Sequence, residues 1–161
     1  MNSVPNASAM LYFDDVVIGQ EYVSAPRLVT EDDLNAFCEI SGDHSPIHTD
    51  ENFARGTVFK QRILHGPFGI AVALGLFTMF EEFAAASIAA TDVRDWRFLA
   101  PVFIGDHLEL RMRIDAKRRV SAGGRGIIQR HMQLTNQRGT IVQEGTIGLM
   151  MWCRPDATTP N

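Results

Sequence analysis

At 161 residues, 45% of them apolar and 21% charged, the chain has the length and composition of one ordinary globular domain, which excludes wholesale disorder. Its 15 Lys and Arg against 19 Asp and Glu leave a net charge of −4, and this argues against nucleic acid as a partner, because gripping phosphates needs a basic excess. The first ten residues lack the basic start and apolar run of a secretory signal. The most apolar stretch, 67–80, is shorter than the ~20 residues that cross a bilayer, so a cytoplasmic chain without a membrane partner is expected.

Residues 1–10 and 154–161 are polar, with Pro and small residues, and are expected to be flexible ends around a single domain over 11–153. Residues 12–24 form a short entry segment, with Val16, Val17 and Ile18 before Gly19. Thr30 then opens a helix: it is a good N-cap, Asp33 stands where a capping-box acid belongs, and Glu31 and Asp32 suit the positive helix start. Leu34, Phe37, Cys38 and Ser41 form its inner stripe, and Gly42 ends it. Residues 43–49 read as a polar loop around Pro46, and Asp50 as the cap of a helical turn carrying Phe53 and Ala54. Two cysteines, Cys38 and Cys153, with no Cys-x-x-Cys pair, predict buried free thiols rather than a redox or zinc centre.

Pro67 suits the first turn of a helix, since its missing N–H costs nothing there. The pattern predicts that helix over 67–90, apolar nearly all round and therefore wrapped by other structure. Gly69 and Gly75 lower its propensity, a cost that close approach to a sheet would justify. Strands follow over 93–99, 107–120, 125–136 and 140–152, with Leu108, Leu110, Met112 and Ile114 on one face of the second. Short connections between them predict an antiparallel meander, so the fold class is α+β: one buried helix wrapped by an antiparallel sheet.

The densest polar cluster is Ser41-Gly42-Asp43-His44-Ser45-Pro46-Ile47-His48-Thr49-Asp50. An Asp and a His five residues apart across a Pro-containing turn can address one spot and polarise one water, the carboxylate accepting hydrogen bonds and the imidazole accepting or donating near neutral pH. The same spacing also suits a solvated loop in which Asp43 caps backbone N–H groups and His48 faces water.

That run resembles the hydratase motif of the MaoC-like dehydratases, which include the (R)-specific enoyl-CoA hydratases. Ile63-Leu64-His65-Gly66 ahead of a long apolar helix is similar to the family's His-Gly step into its central helix. Trp96-Arg97-Phe98-Leu99-Ala100-Pro101-Val102-Phe103-Ile104-Gly105-Asp106 resembles its strand-and-turn signature, and 136–145, with Val142-Gln143-Glu144-Gly145, its last hairpin. The resemblance covers roughly 12–152. It implies the hotdog fold, a long central helix swaddled by a curved antiparallel sheet, and pairing into a homodimer with joined sheets.

It also implies reversible addition of water to a trans-2-enoyl thioester, giving a 3-hydroxyacyl thioester. Asp43 and His48 match the catalytic pair. The backbone N–H of Gly66, at a helix start, is the expected donor to the thioester oxygen. His65 is expected to fix the turn and Ser45 to shape the loop. In some family members a Ser beyond the His-Gly step supports the site; here the matching position is Ala71. No metal or other cofactor is expected, with coenzyme A entering as part of the substrate. Lys117, Arg118, Arg119 and Arg125, or else Arg55, Lys60 and Arg62, could meet its phosphates. Phe68, Phe77, Met79 and Phe80 are expected in the core. A thioesterase using Glu81 or Glu82 as base, and a subunit that binds acyl thioesters without turnover, are the competing functions.

Overall fold

A computed structural model of the chain describes residues 10–121 and 123–155, so the end segments 1–9 and 156–161 lie outside the described residues. Near the start, β1 (Glu21–Val23) and β2 (Arg27–Leu28) lead into α1 (Glu31–Ser41). The expected capping box is formed: the Asp33 N–H donates to Thr30 Oγ1 at 3.2 Å, and the Thr30 N–H donates to Asp33 Oδ2 at 2.8 Å. Leu34 and Cys38 are buried, and Phe37 is half-buried. Ser41 departs from the expected stripe. It is exposed, and its hydroxyl folds back to donate to the Phe37 carbonyl at 2.6 Å.

Gly42 ends α1 with φ 71°, a left-handed conformation that costs glycine little. The expected loop over 43–49 contains a helical turn instead, α2 (Pro46–Thr49). Pro46 stands at its start, where its fixed φ is already helical. In α3 (Glu51–Gly56) the Asp50 carboxylate accepts from the N–H groups of Asn52 and Phe53, as expected of a cap.

The apolar helix is shorter than the sequence predicts. α4 spans Gly66–Phe77, not 67–90. Beyond it the chain turns so that Phe80 and Phe83 pack with Phe77 and Tyr22 in an aromatic cluster. The small residues after Phe83 have good helix propensity, but pairing with the sheet overrides it, and β3 already runs over Ser87–Phe98.

β4 (His107–Arg119), β5 (Arg125–Thr135) and β6 (Ile141–Trp152) complete the sheet. Among the described residues it has six strands, five in the order β1-β4-β5-β6-β3 and β2 pairing with β4 beside β1, all pairs antiparallel. The last three strands form the expected meander. β3 does not join it in sequence order: it pairs with β6 at the far edge rather than with β4. Local turn signals fix hairpins, but the partner of a strand reached by a longer connection is a non-local choice.

Leu108, Leu110, Met112 and Ile114 are fully buried on the inner face of β4, as expected. Phe68, Val72, Leu76 and Phe77 of α4 join them in one continuous core. This is the hotdog arrangement, a helix laid in the concave face of an antiparallel sheet. No helix among the described residues is long and apolar enough to cross a membrane. Both cysteines are free and buried.

Candidate active site

Three segments bring the polar cluster together. The left-handed Gly42 turns the chain so that Asp43 heads the loop, α2 carries His48, and the step into α4 carries His65. Asp43 Oδ1 accepts from the Ser45 N–H at 3.0 Å and from the Ser45 hydroxyl at 2.5 Å. Ser45 therefore does shape the loop, and it also clamps one carboxylate oxygen. Its hydroxyl, then its N–H, hold the Asp43 carboxyl below the usual carboxylate range, with the two nearby imidazoles adding to the effect.

The other oxygen, Oδ2, lies 3.9 Å from His48 Nε2 and 3.9 Å from His65 Nε2. Such a gap is too long for a direct hydrogen bond, and a water resting against both groups can span it. His48 is buried rather than facing solvent. Its Nδ1 lies 2.7 Å from the Ile63 carbonyl, which can only accept, so Nδ1 carries the proton. In the neutral ring Nε2 is then a free acceptor turned toward Asp43.

His65 is also buried, and its Nε2 donates to the Asp43 carbonyl at 2.9 Å. That bond ties the start of α4 to the loop, as expected of a turn-fixing residue. The two imidazoles stack, with centroids 3.7 Å apart. Asp43, His48 and His65 are close enough to suggest a metal cage. The donor set fits one poorly, because the proton on His65 Nε2 occupies the atom that would have to bind the ion. Cys38, 4.0 Å from His65 Nε2, has its thiol pushed up by burial and by the Asp43 charge, which makes it a weak nucleophile.

Gly66 is the first residue of α4, where backbone N–H groups have no partner within the helix. It lines a cavity of ≈ 390 Å³ with Phe59, Leu64, Phe98, Leu99 and Gln143. A larger apolar cleft, ≈ 580 Å³, lies between α1 and α4 and includes Ala71. Two residues to which the sequence reading gave no role are prominent here. Gln143 is buried beside Gly66, and Arg130 is buried under α4. Alternation along the strands points both inward: Gln143 shares a face with Ile147, Leu149 and Met151, and Arg130 with Ile128, Met132 and Leu134.

The family model described as a MaoC like domain matches residues 15–133. The chain belongs to the MaoC-like domain family. Among MaoC-like relatives, it is 35% identical over 108 residues to a 3-hydroxybutyryl-CoA dehydratase of Methylorubrum extorquens, covering 65% of this chain and 64% of that protein. It is 36% identical over 98 residues to an (R)-specific enoyl-CoA hydratase of Rhodospirillum rubrum, covering 59% of this chain and 63% of that one. The chain thus spans under two thirds of either relative, 64% and 63%. A solved structure of a monoamine oxidase regulatory protein from Archaeoglobus fulgius superimposes with TM-score 0.83 at 30% identity, covering 91% of this chain and 97% of that one. A MaoC-like dehydratase from Rhodospirillum rubrum gives 0.80 at 25%, covering 91% and 99%. A Mycobacterium tuberculosis protein with a double hotdog fold, 20% identical with TM-score 0.80, matches 96% of this chain and 48% of its own length, which supports the fold.

Within this MaoC-like domain, several expected phosphate contacts are already engaged. Arg62 donates to Glu31 and Glu51, and Arg55 pairs with Glu51. Lys117 donates to the Phe13, Asp14 and Val16 carbonyls, and Arg119 pairs with Asp14. Phe68, Phe77 and Phe80 are core residues as expected, whereas Met79 is half exposed on the rim of the larger cleft.

Proposed function

We propose that this protein hydrates a trans-2-enoyl-CoA reversibly to the 3-hydroxyacyl-CoA. The observation that carries the reading is the free Oδ2 of Asp43 standing 3.9 Å from the free Nε2 of His48. A water lodged there donates one proton to His48 Nε2 while its oxygen bonds C3. The π electrons of the C2–C3 double bond move toward the thioester carbonyl. The proton held by the His48–Asp43 pair passes to C2, so that one water is added and nothing else is consumed. The ionised Asp43 carboxylate stabilises the imidazolium that forms meanwhile. The Gly66 N–H, aimed by the helix start, meets the charge that grows on the thioester oxygen.

The MaoC-like domain and the dehydratase and hydratase named among its relatives support the same reaction class. The thioesterase alternative has less support. Glu81 and Glu82 lie beyond the opposite end of α4, whose 12 residues put ~18 Å between them and Gly66. Incubation with crotonyl-CoA tests the reading: 3-hydroxybutyryl-CoA without free thiol supports it, and free coenzyme A in place of hydrated product overturns it.

The working unit is proposed to be a homodimer joined along β3. That strand pairs with β6 on one side, and its other edge carries Val93, 48% exposed, and Phe98, 57% exposed, both large apolar groups.

A further inference from the structure

Gly66 has two features that pull against each other. A Cβ there would sit 3.0 Å from Phe98 Cε1 and within 3.2 Å of two other ring atoms, so a larger residue needs the Phe98 ring to give way. Glycine also has the loosest backbone of any residue, and Pro67 after it supplies no N–H to brace the turn. A tie from outside the helix can restrain the peptide on its carbonyl side.

Gln143 of β6 is placed to do so. Its side-chain Nε2 donates to the Gly66 carbonyl at 3.0 Å, and its Oε1 accepts from the Trp96 indole N–H of β3 at 3.0 Å. The residue is buried. The amide is thus fixed at both ends, its orientation set by Trp96, which has only a donor to offer. Gly69, one turn along α4, lies flat against the same carboxamide, which a Cβ at 69 would overlap. The absent side chain at 69 makes the space in which Gln143 reaches Gly66. This also accounts for a glycine that weakens the middle of the helix.

We infer that Gln143 is a positioning residue: through the Trp96–Gln143–Gly66 chain it locks the glycine whose N–H addresses the substrate carbonyl. The inference rests on the enoyl-thioester reading for its kinetic consequence, but the mechanical part stands on geometry alone. Gln143 touches no reacting atom, so its effect falls on the transition state, where alignment of the donor matters most, and little on ground-state binding.

Three variants separate the legs. Gln143→Leu keeps the volume and removes both hydrogen bonds. Gln143→Glu keeps the acceptor for Trp96 and places a carboxylate against the Gly66 carbonyl. Trp96→Phe keeps a ring and removes only the outer leg. With crotonyl-CoA the expected result for Gln143→Leu and Gln143→Glu is a kcat about 10- to 100-fold lower with KM within about threefold, and for Trp96→Phe a smaller loss in kcat. In parallel, ¹⁵N relaxation of the Gly66 amide is measured in wild type and Gln143→Leu, both first shown to melt cooperatively. Faster internal motion at Gly66 in the variant supports the lock. Unchanged Gly66 relaxation overturns it, and so does unchanged kcat in an active enzyme. If wild type does not turn over crotonyl-CoA, the hydratase reading fails for that substrate and the relaxation arm alone decides the role of Gln143. A variant that does not fold is replaced by Gln143→Asn, whose shorter amide reaches Gly66 poorly and is expected to loosen the same residue.

Discussion

His48 and His65 lie ring on ring, with centroids 3.7 Å apart and planes 23° from parallel. The stack closes one face of His48, and the Ile63 carbonyl fixes its Nδ1 edge, so the one ring atom left to do chemistry is Nε2. His65 in turn is backed by Phe37, with ring centroids 5.1 Å apart. A residue of α1 thus supports the pair through two layers of aromatic contact. His65→Phe keeps a ring for stacking and loses the bond to the Asp43 carbonyl. It is expected to destabilise the fold by about 1–3 kcal/mol in urea denaturation, because the loop and helix start lose their tie. An unchanged midpoint would mean that the loop is held by Ser45 and α2 alone.

Ser45 holds the Asp43 carboxyl below its ordinary range. The Ser45 hydroxyl and N–H favour the ionised carboxylate, so its pKa in the folded protein lies below the unfolded value. The sign follows: this interaction stabilises the fold above the unfolded carboxylate pKa and fades as pH falls through the folded one. Ser45→Ala removes the hydroxyl and is expected to move the Asp43 pKa upward, as read by the carboxyl ¹³C shift over an acid titration. A pKa that stays put or falls would show that the Ser45 N–H and the imidazoles suffice.

The arginine under the helix is a cost the fold carries. Arg130 is buried, Nε donates to the Ile147 carbonyl at 3.2 Å, and its guanidinium lies 4.3 Å from the Phe77 ring centroid. Its two terminal nitrogens meet no acceptor among the described residues, and burial pushes its pKa down to about 10. Replacing such a charge by an apolar chain of similar length commonly stabilises, so Arg130→Met is expected to gain about 1–4 kcal/mol in urea denaturation. A loss of comparable size would mean that the Phe77 and Ile147 contacts outweigh desolvation.

The free edge of β3 makes a further prediction. Val93→Lys places a charge on the edge proposed to join two copies, and light scattering is expected to report a monomer where wild type reports a dimer. A dimer unchanged by the substitution would move the interface elsewhere.

Signals confined to a few neighbouring residues were readable from sequence. Thr30 and Asp33 close the box that their spacing predicts, Gly42 stops α1, and Leu108 to Ile114 face inward in alternation. The polar run around Asp43 and His48 brings the two side chains within 3.9 Å, although His48 sits on a helical turn where a loop was expected, and its burial disfavours the solvated-loop alternative. What depended on distant partners was not readable. The end of α4 is decided by the aromatic cluster of Tyr22, Phe77, Phe80 and Phe83, and the place of β3 by β6. Gln143 and Arg130 are polar residues at inward strand positions, a conflict between residue type and alternation that the sequence carries but that was not read there.

The central claim is that Asp43 and His48 together add water to an enoyl thioester, and the most direct measurement follows the absorbance of conjugated crotonyl-CoA with wild type, Asp43→Asn and His48→Gln at equal folded concentration. The account predicts steady loss with wild type and a rate lower by about 10²–10⁴-fold in each variant, with melting midpoints retained. Wild-type rates in both variants would contradict it.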